Sequence, residues 1–326
     1  MSSILDELLE AGRGRIEVPD PVLAEARRRR EQIVVALRDA FPGCRIYFNG
    51  SVAHGDATDP LADIDVGVIL APAAAAGYGP DGGGPLALME AARDAIREHL
   101  KDEYDKLAVT VAGQRRAVLV RFGDPVTPGQ PDFTCDVIIA LDHPERGLWI
   151  PNAEIAAGWD RAHPVEHTRL IHQAITDTDV MFARLVRLLK HWRDRHSDPL
   201  CSWNIKALAL ECITAPMPLS RGLEVFFDYA ARDLDRRLTP DPADVAGPVQ
   251  PNLPRDEAVT RLRRARDTIT EALTEQAAGR HASAQQKLHW LLPDVVDAPD
   301  PSAILREMAR STVAATTASP TRAWAP

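Results

Sequence analysis

The stretch "DIDVGVIL", residues 63–70, alternates acidic or small residues with apolar ones and reads as a β-strand with one face for a core. Ile64, Val66, Val68 and Leu70 fall on one face, and Asp63, Asp65, Gly67 and Ile69 on the other. Two carboxylates two positions apart on the same face repel across about 7 Å or less. Such a strand fits only two kinds of place: a solvent-exposed sheet edge, or a site where a cation balances the pair.

A second strand repeats the pattern. In "DFTCDVIIAL", residues 132–141, Phe133, Cys135, Val137, Ile139 and Leu141 face one way, and Asp132, Thr134, Asp136, Ile138 and Ala140 the other. Asp132, near the strand start, reads as structural. If the two strands are neighbours, Asp136 joins Asp63 and Asp65 in a three-carboxylate cluster. Hard oxygen ligands with open positions suit Mg²⁺ or Mn²⁺, and two such ions about 3.5–4 Å apart activate an attacking hydroxyl and stabilise a leaving pyrophosphate. Upstream lies "NGS", where Gly50 lets backbone approach closely, Ser51 offers a hydroxyl, and a helical turn starting there aims N–H groups at a phosphate. The D-x-D begins twelve positions after Ser51.

Around these motifs the first half of the chain interleaves strands and helices up to about residue 142. It holds a helix over 20–40, a strand at "CRIYF", a loose surface loop over 71–85, a helix over 86–101, and strands at "KLAVTVA" and "RAVLVRF". Arg27 to Arg30 point around their helix and read as a solvated face. After the linker "LDHPERGLWIPNAEIAAGWDRAHP", Ile171, Ile175, Phe182, Leu185, Leu189 and Trp192 recur at helical steps, predicting one long amphipathic helix over 165–196. Further helices are expected near 202–214, 221–238, 254–277 and 280–292, with the Pro-rich "TPDPADVAGPVQPNLP" extended between the second and third of these.

With 326 residues, the chain can form one large or two ordinary domains. Cys44, Cys135, Cys201 and Cys212 include no C-x-x-C pair, so they suggest buried thiols in a reducing cytoplasm rather than a zinc ribbon or disulfide framework. No run of about 18 apolar residues occurs, and "MSSILDELLEAGRG" lacks the make-up of a secretory signal; the expected location is cytoplasmic, with no membrane partner. A net charge of −9 argues against coating long nucleic acid, and leaves open a small anion held by local cations and metal ions.

"GS", a spacer, "DIDV" and a later strand Asp together resemble the active site of the polymerase-β-type nucleotidyltransferases. Within them the chain looks most like the bacterial cyclic GMP-AMP synthase/DncV-like family, which makes nucleotide second messengers in anti-phage defence of the CBASS type. The resemblance covers about residues 20–295. "ARLVRLLKHWRDRHSDPLCSWNIKALALE" is similar to the family's long helix, Ser-aromatic pair and second helix, and Asp241 to Leu253 looks like its "DP...N" segment. The fold class implied is α+β: a polymerase-β-like core, a mixed sheet with helices, packed on a C-terminal α-helical domain. The domains expected are a nucleotidyltransferase core with an N-terminal helix over 1–160, a helical domain closing the nucleotide cleft over 161–310, and a disordered tail over 311–326.

By the same resemblance, Asp63, Asp65 and Asp136 are the catalytic and metal-binding set, with two Mg²⁺ or Mn²⁺ ions. Gly50, Ser51, Lys190 and Ser202 hold the triphosphate, and Lys206, one turn beyond Ser202, adds a second cation. Ser202, read alone, is a helix N-cap. The substrates implied are nucleoside triphosphates, ATP with GTP, CTP or UTP, and the product a cyclic di- or trinucleotide with release of pyrophosphate; accessory proteins of a defence operon are compatible partners. Alternatives are a nucleotidyltransferase that makes linear oligonucleotides or modifies a small-molecule, RNA or protein hydroxyl, and an inactive nucleotide-sensing module. Two features depart from the family pattern: Asp136-Val-Ile-Ile-Ala lacks the usual proline, and no Cys/His insertion of the animal DNA sensor is present, so sensing of double-stranded DNA is not expected. Arg184 and Arg187 read as salt-bridge formers, Tyr47 and Trp203 as core, and His54 and Asp56 as ordinary loop residues.

Overall fold

The computed structural model describes residues 3–317 apart from 112, 114, 115 and 157. In chain order the elements are α1 (Ile4–Gly12), α2 (Asp20–Ala40), β1 (Arg45–Asn49), α3 (Gly50–Ala53), β2 (Asp63–Ile69), α4 (Pro72–Ala75), α5 (Leu86–Leu100), β3 (Ala108–Thr110), β4 (Val118–Arg121) and β5 (Thr134–Asp142). They continue with β6 (Leu148–Pro151), β7 (Trp159–Ala162), α6 (Pro164–Asp177), α7 (Met181–Arg195), α8 (Ser202–Cys212), α9 (Leu219–Arg236), α10 (Arg255–Ala277), α11 (His281–Leu291) and α12 (Pro301–Thr317).

Alternation along β2 and β5 organises the first half. The strands run in the order β1-β2-β5-β4-β3, with β2 and β5 parallel and every other pair antiparallel. Ile64, Val66, Val68, Cys135, Val137 and Ile139 are all buried on one face, under Ile33 and Leu37 of α2 and Met89 and Ile96 of α5. This core is what fixes the register, because a slip by one residue would turn every apolar side chain to the opposite face. On that opposite face a smaller cluster of Tyr47, Ile69, Ala140, Leu148 and Ile150 lies toward the end of β2 and β5 away from the carboxylates. Gly67 is required there: a Cβ would fall 1.9 Å from the Tyr47 ring.

The second apolar cluster is helical. Phe182, Leu185, Leu189 and Trp192 of α7 pack with Leu223, Phe226 and Phe227 of α9, Leu262 and Ile269 of α10, and Leu288 of α11. Leu5 and Leu9 of α1 belong to this cluster as well, so the first helix of the chain, within the 1–160 range, packs with the helical half. The backbone N–H of Leu5 donates to Gln276 Oε1 at 3.0 Å, and that of Ser220 to Asp6 Oδ1 at 2.9 Å.

Four local expectations are corrected. The helix expected over 165–196 is two helices, α6 and α7, separated where Asp179 and Val180 take φ of +50° and +67°. Apolar spacing continues across the break, so periodicity alone does not reveal it. The linker over 141–164 contains the β6–β7 hairpin, which extends the sheet beyond β5. Arg29 is not solvated: it is 1% exposed, faces the Phe122 and Phe133 rings, and donates to Asp132 at 3.0 Å. The loop over 71–85 includes the helical turn α4. As for the expected tail, α12 takes in its first residues to Thr317, and residues 318–326 lie outside the described residues.

Candidate active site

Asp65 lies directly across from Asp136 in the parallel β2–β5 register, and Asp63 across from Thr134. The three carboxylates thus stand side by side on adjacent strands, on the face opposite the core. Burial first, then the negative charges of Asp63 and Asp136, push the Asp65 carboxyl up to about 7. Asp136 is also raised, by burial and by Asp63. Like charges held at one place are the arrangement a divalent cation neutralises, and every donor is a hard oxygen. Among the described residues no three acidic, His or Cys side chains close around a point as a preformed metal cage. The donor chemistry fits Mg²⁺ or Mn²⁺ at Asp63, Asp65 and Asp136.

The turn before β2 is pressed against this pair. β1 ends at Asn49, which pairs with Asp65, and α3 begins at Gly50 with φ +75°. A Cβ on Gly50 would lie 1.6 Å from Asp65 Oδ2, so glycine is needed both for the backbone conformation and for the close approach. Gly50, Ser51, Asp63 and Asp65 line a cleft of about 1130 Å³. Lys190 from α7 and Ser202, Trp203 and Lys206 from α8 line the same cleft, as do Asp160 and Arg161 of β7. Of the residues singled out in the sequence, seven share this cleft; Asp136 does not line it and is joined to it through its register with Asp65.

The lysines are anchored by a residue to which the sequence assigned no chemistry. Lys190 Nζ donates to the Asp56 backbone oxygen at 2.9 Å and to Asp56 Oδ1 at 3.2 Å. Lys206 Nζ is 2.9 Å from Asp56 Oδ2 and 2.8 Å from His54 Nδ1. Asp56 is 1% exposed, Lys190 6% and Lys206 4%. Burial works against the Asp56 charge, yet the two lysines keep its carboxyl below the ordinary range. His54 is driven the other way: burial, then the Lys206 charge, lower it to about 3, so the ring is neutral and accepts from Lys206 at Nδ1. Its Nε2 then donates to Thr168 Oγ1 at 3.0 Å.

Ser202 is not the N-cap. Cys201 caps α8, in a reciprocal arrangement with Asn204, and Ser202 follows as the first helical residue. Its oxygen accepts from Arg193 at 2.6 Å, and both residues line the cleft. Trp203 also lines the cleft, its ring 4.4 Å from that of His167, so it is a cleft residue more than a core one; Tyr47 is buried in the small sheet cluster as expected. His167 in turn pairs with Asp241 at 2.6 Å, and Asp241 Oδ2 accepts from the N–H groups of Val245 and Ala246 at 3.1 Å each. The Pro-rich segment after α9 is thereby folded back to form one wall. Arg187 and Arg184 form ion pairs with Glu17 and Glu10, as the sequence suggested.

Neither a protein-family model nor a curated protein matches the chain. Solved structures do. CdnG of Bradyrhizobium diazoefficiens, a CD-NTase in complex with GTP, superposes with a TM-score of 0.64 at 15% identity, over 94% of this chain and 99% of that one. The chain has the CD-NTase fold. Two further structures agree. The DncV cyclic AMP-GMP synthase of Vibrio cholerae, with a linear intermediate pppA(3′,5′)pG, gives 0.58 at 14% identity over 90% of this chain and 87% of that one. CdnC of E. coli MS115-1 with ATP gives 0.58 at 18% identity over 88% and 96%, and CdnC is also solved as a complex with HORMA-deltaN. The match spans both halves, so the CD-NTase fold accounts for the mixed sheet and for the helices that face it across the cleft.

Proposed function

We propose that this chain is a divalent-metal-dependent nucleotidyltransferase that joins nucleoside triphosphates and closes the product into a cyclic di- or trinucleotide messenger, in the cytoplasm, as part of anti-phage defence. One observation carries the reading: a single cleft in a CD-NTase fold is lined by the D-x-D pair, the Gly50–Ser51 turn and two buried lysines from the opposite helices. Three carboxylates beside two ammonium groups suit metal ions with a triphosphate, and a binding module has no need of all three acids. The linear intermediate held by DncV favours a sequential route, and the HORMA partner of CdnC favours accessory proteins.

Asp63, Asp65 and Asp136 would hold the cations, which when bound would neutralise triphosphate charge and lower the pKa of a ribose hydroxyl. Gly50 and Ser51 receive the phosphates, and Lys190, Lys206 and Ser202 restrain them from the helical side. Asp136, beside Asp65 in register, would accept the proton of the acceptor hydroxyl. The hydroxyl oxygen bonds to the α-phosphorus as the bond to pyrophosphate breaks. Turning the linear product over and repeating the attack closes the ring.

Incubating the full chain with labelled ATP, GTP, CTP and UTP and Mg²⁺ or Mn²⁺ is expected to release pyrophosphate and yield phosphatase-resistant products. Asp63→Asn with Asp65→Asn should abolish both while the fold survives. Products that stay phosphatase-sensitive, with or without accessory proteins, would instead mark a linear or modifying transferase. Unchanged turnover in the double variant would refute the assigned acids.

A further inference from the structure

Among the described residues Asp56 is the one carboxylate that both cleft lysines touch, and it stands behind them rather than among the residues that line the cleft. Its own N–H donates to the Ser51 carbonyl at 3.0 Å, so the same residue ties the phosphate turn to α7 and α8. Arg187 of α7 reinforces the link by donating to the carbonyls of Gly55 and Ala57 at 2.8 and 3.1 Å.

An ammonium group has three N–H donors. Lys190 commits two, to the Asp56 carbonyl and Oδ1; Lys206 commits one, to His54 Nδ1, and stands 2.9 Å from Asp56 Oδ2 as an ion pair. Each keeps at least one. Because His54 is neutral, two cations and one anion leave a single net positive charge facing the cleft.

We propose that Asp56 is the positioning residue of the phosphate side of this cleft: its carboxylate fixes Lys190 and Lys206 so that each presents at least one N–H to a bound triphosphate. This rests on the reading of the cleft as a triphosphate site. Asp56 touches no substrate itself. The groups facing Lys190 are Asp56, Lys206 and Arg193, with His54 beside Lys206 and Asp65 across the cleft.

Inorganic triphosphate is the probe, titrated calorimetrically into the full chain from pH 6 to 10. Burial lowers Lys190 from its ordinary range, Asp56 raises it and Lys206 lowers it. Asp56→Asn removes the raising charge, so binding at pH 8 should weaken roughly tenfold and its basic limb should move down by about one pH unit. Lys206→Met removes a repelling cation and should move the limb up, which keeps the test open if Asp56→Asn does not fold. Limbs that stay in place in folded variants, while wild type binds, overturn the role of Asp56 alone. A wild-type chain that binds no triphosphate at any pH overturns the cleft reading, and this inference with it.

Discussion

His54 is 2% exposed and touches Lys206 on one side and Thr168 on the other, so a proton on its ring would add a third positive charge to a pocket with one carboxylate. Its folded value of about 3 lies below the ordinary 6.5. The unfolded chain therefore binds the proton more readily, and stability present above pH 6.5 is lost as pH falls from there toward 3. His54→Gln is expected to flatten this acid branch, shrinking the fall in Tm between pH 7 and pH 4 by roughly 2–4 °C, read by thermal melting. Lys190 and Lys206 were legible through the resemblance, but Asp56 and His54 were not, for a physical reason: they meet partners 134 and 152 positions away. Asp63 and Asp65 were legible as a same-face pair because strand alternation is local.

At the scale of elements, Gly50 joins a strand end to a helical turn in a conformation that other residues adopt at a cost. Gly50→Ala should lower Tm by about 2–4 °C through its positive φ. A far larger effect is expected on pyrophosphate release, at least about a hundredfold, because the new methyl group occupies the position of the Asp65 carboxylate. An equal, small loss in both measurements would argue against the close approach. Strands β2 and β5 and the helices α2, α5 and α10 could be read from the sequence because their own periodicity specifies them. The break between α6 and α7 could not, since Val180, an apolar β-branched residue, takes the left-handed conformation just before α7. There the Thr178 hydroxyl donates to Ala174 O at 2.7 Å and accepts from Phe182 N at 3.0 Å. The β6–β7 hairpin escaped for a different reason: its strands have four residues each, and one ends in proline.

At the scale of the molecule, two apolar clusters meet along a cleft whose floor is charged. The helical cluster includes α1, whose Leu5 and Leu9 are fully buried. Leu5→Ala or Leu9→Ala should each cost about 2–5 kcal/mol in denaturant unfolding. Leu305→Ala, at a position 67% exposed, should leave the midpoint almost unchanged. The place of α1 also bears on how the chain is made. A ribosome delivers α1 before the sheet, at roughly 5–20 residues per second, while its partners α9 to α11 follow the entire sheet. For tens of seconds the nascent chain must carry an amphipathic helix with nothing to cover it, and synthesis halted after the sheet would release a polypeptide with that apolar stripe exposed.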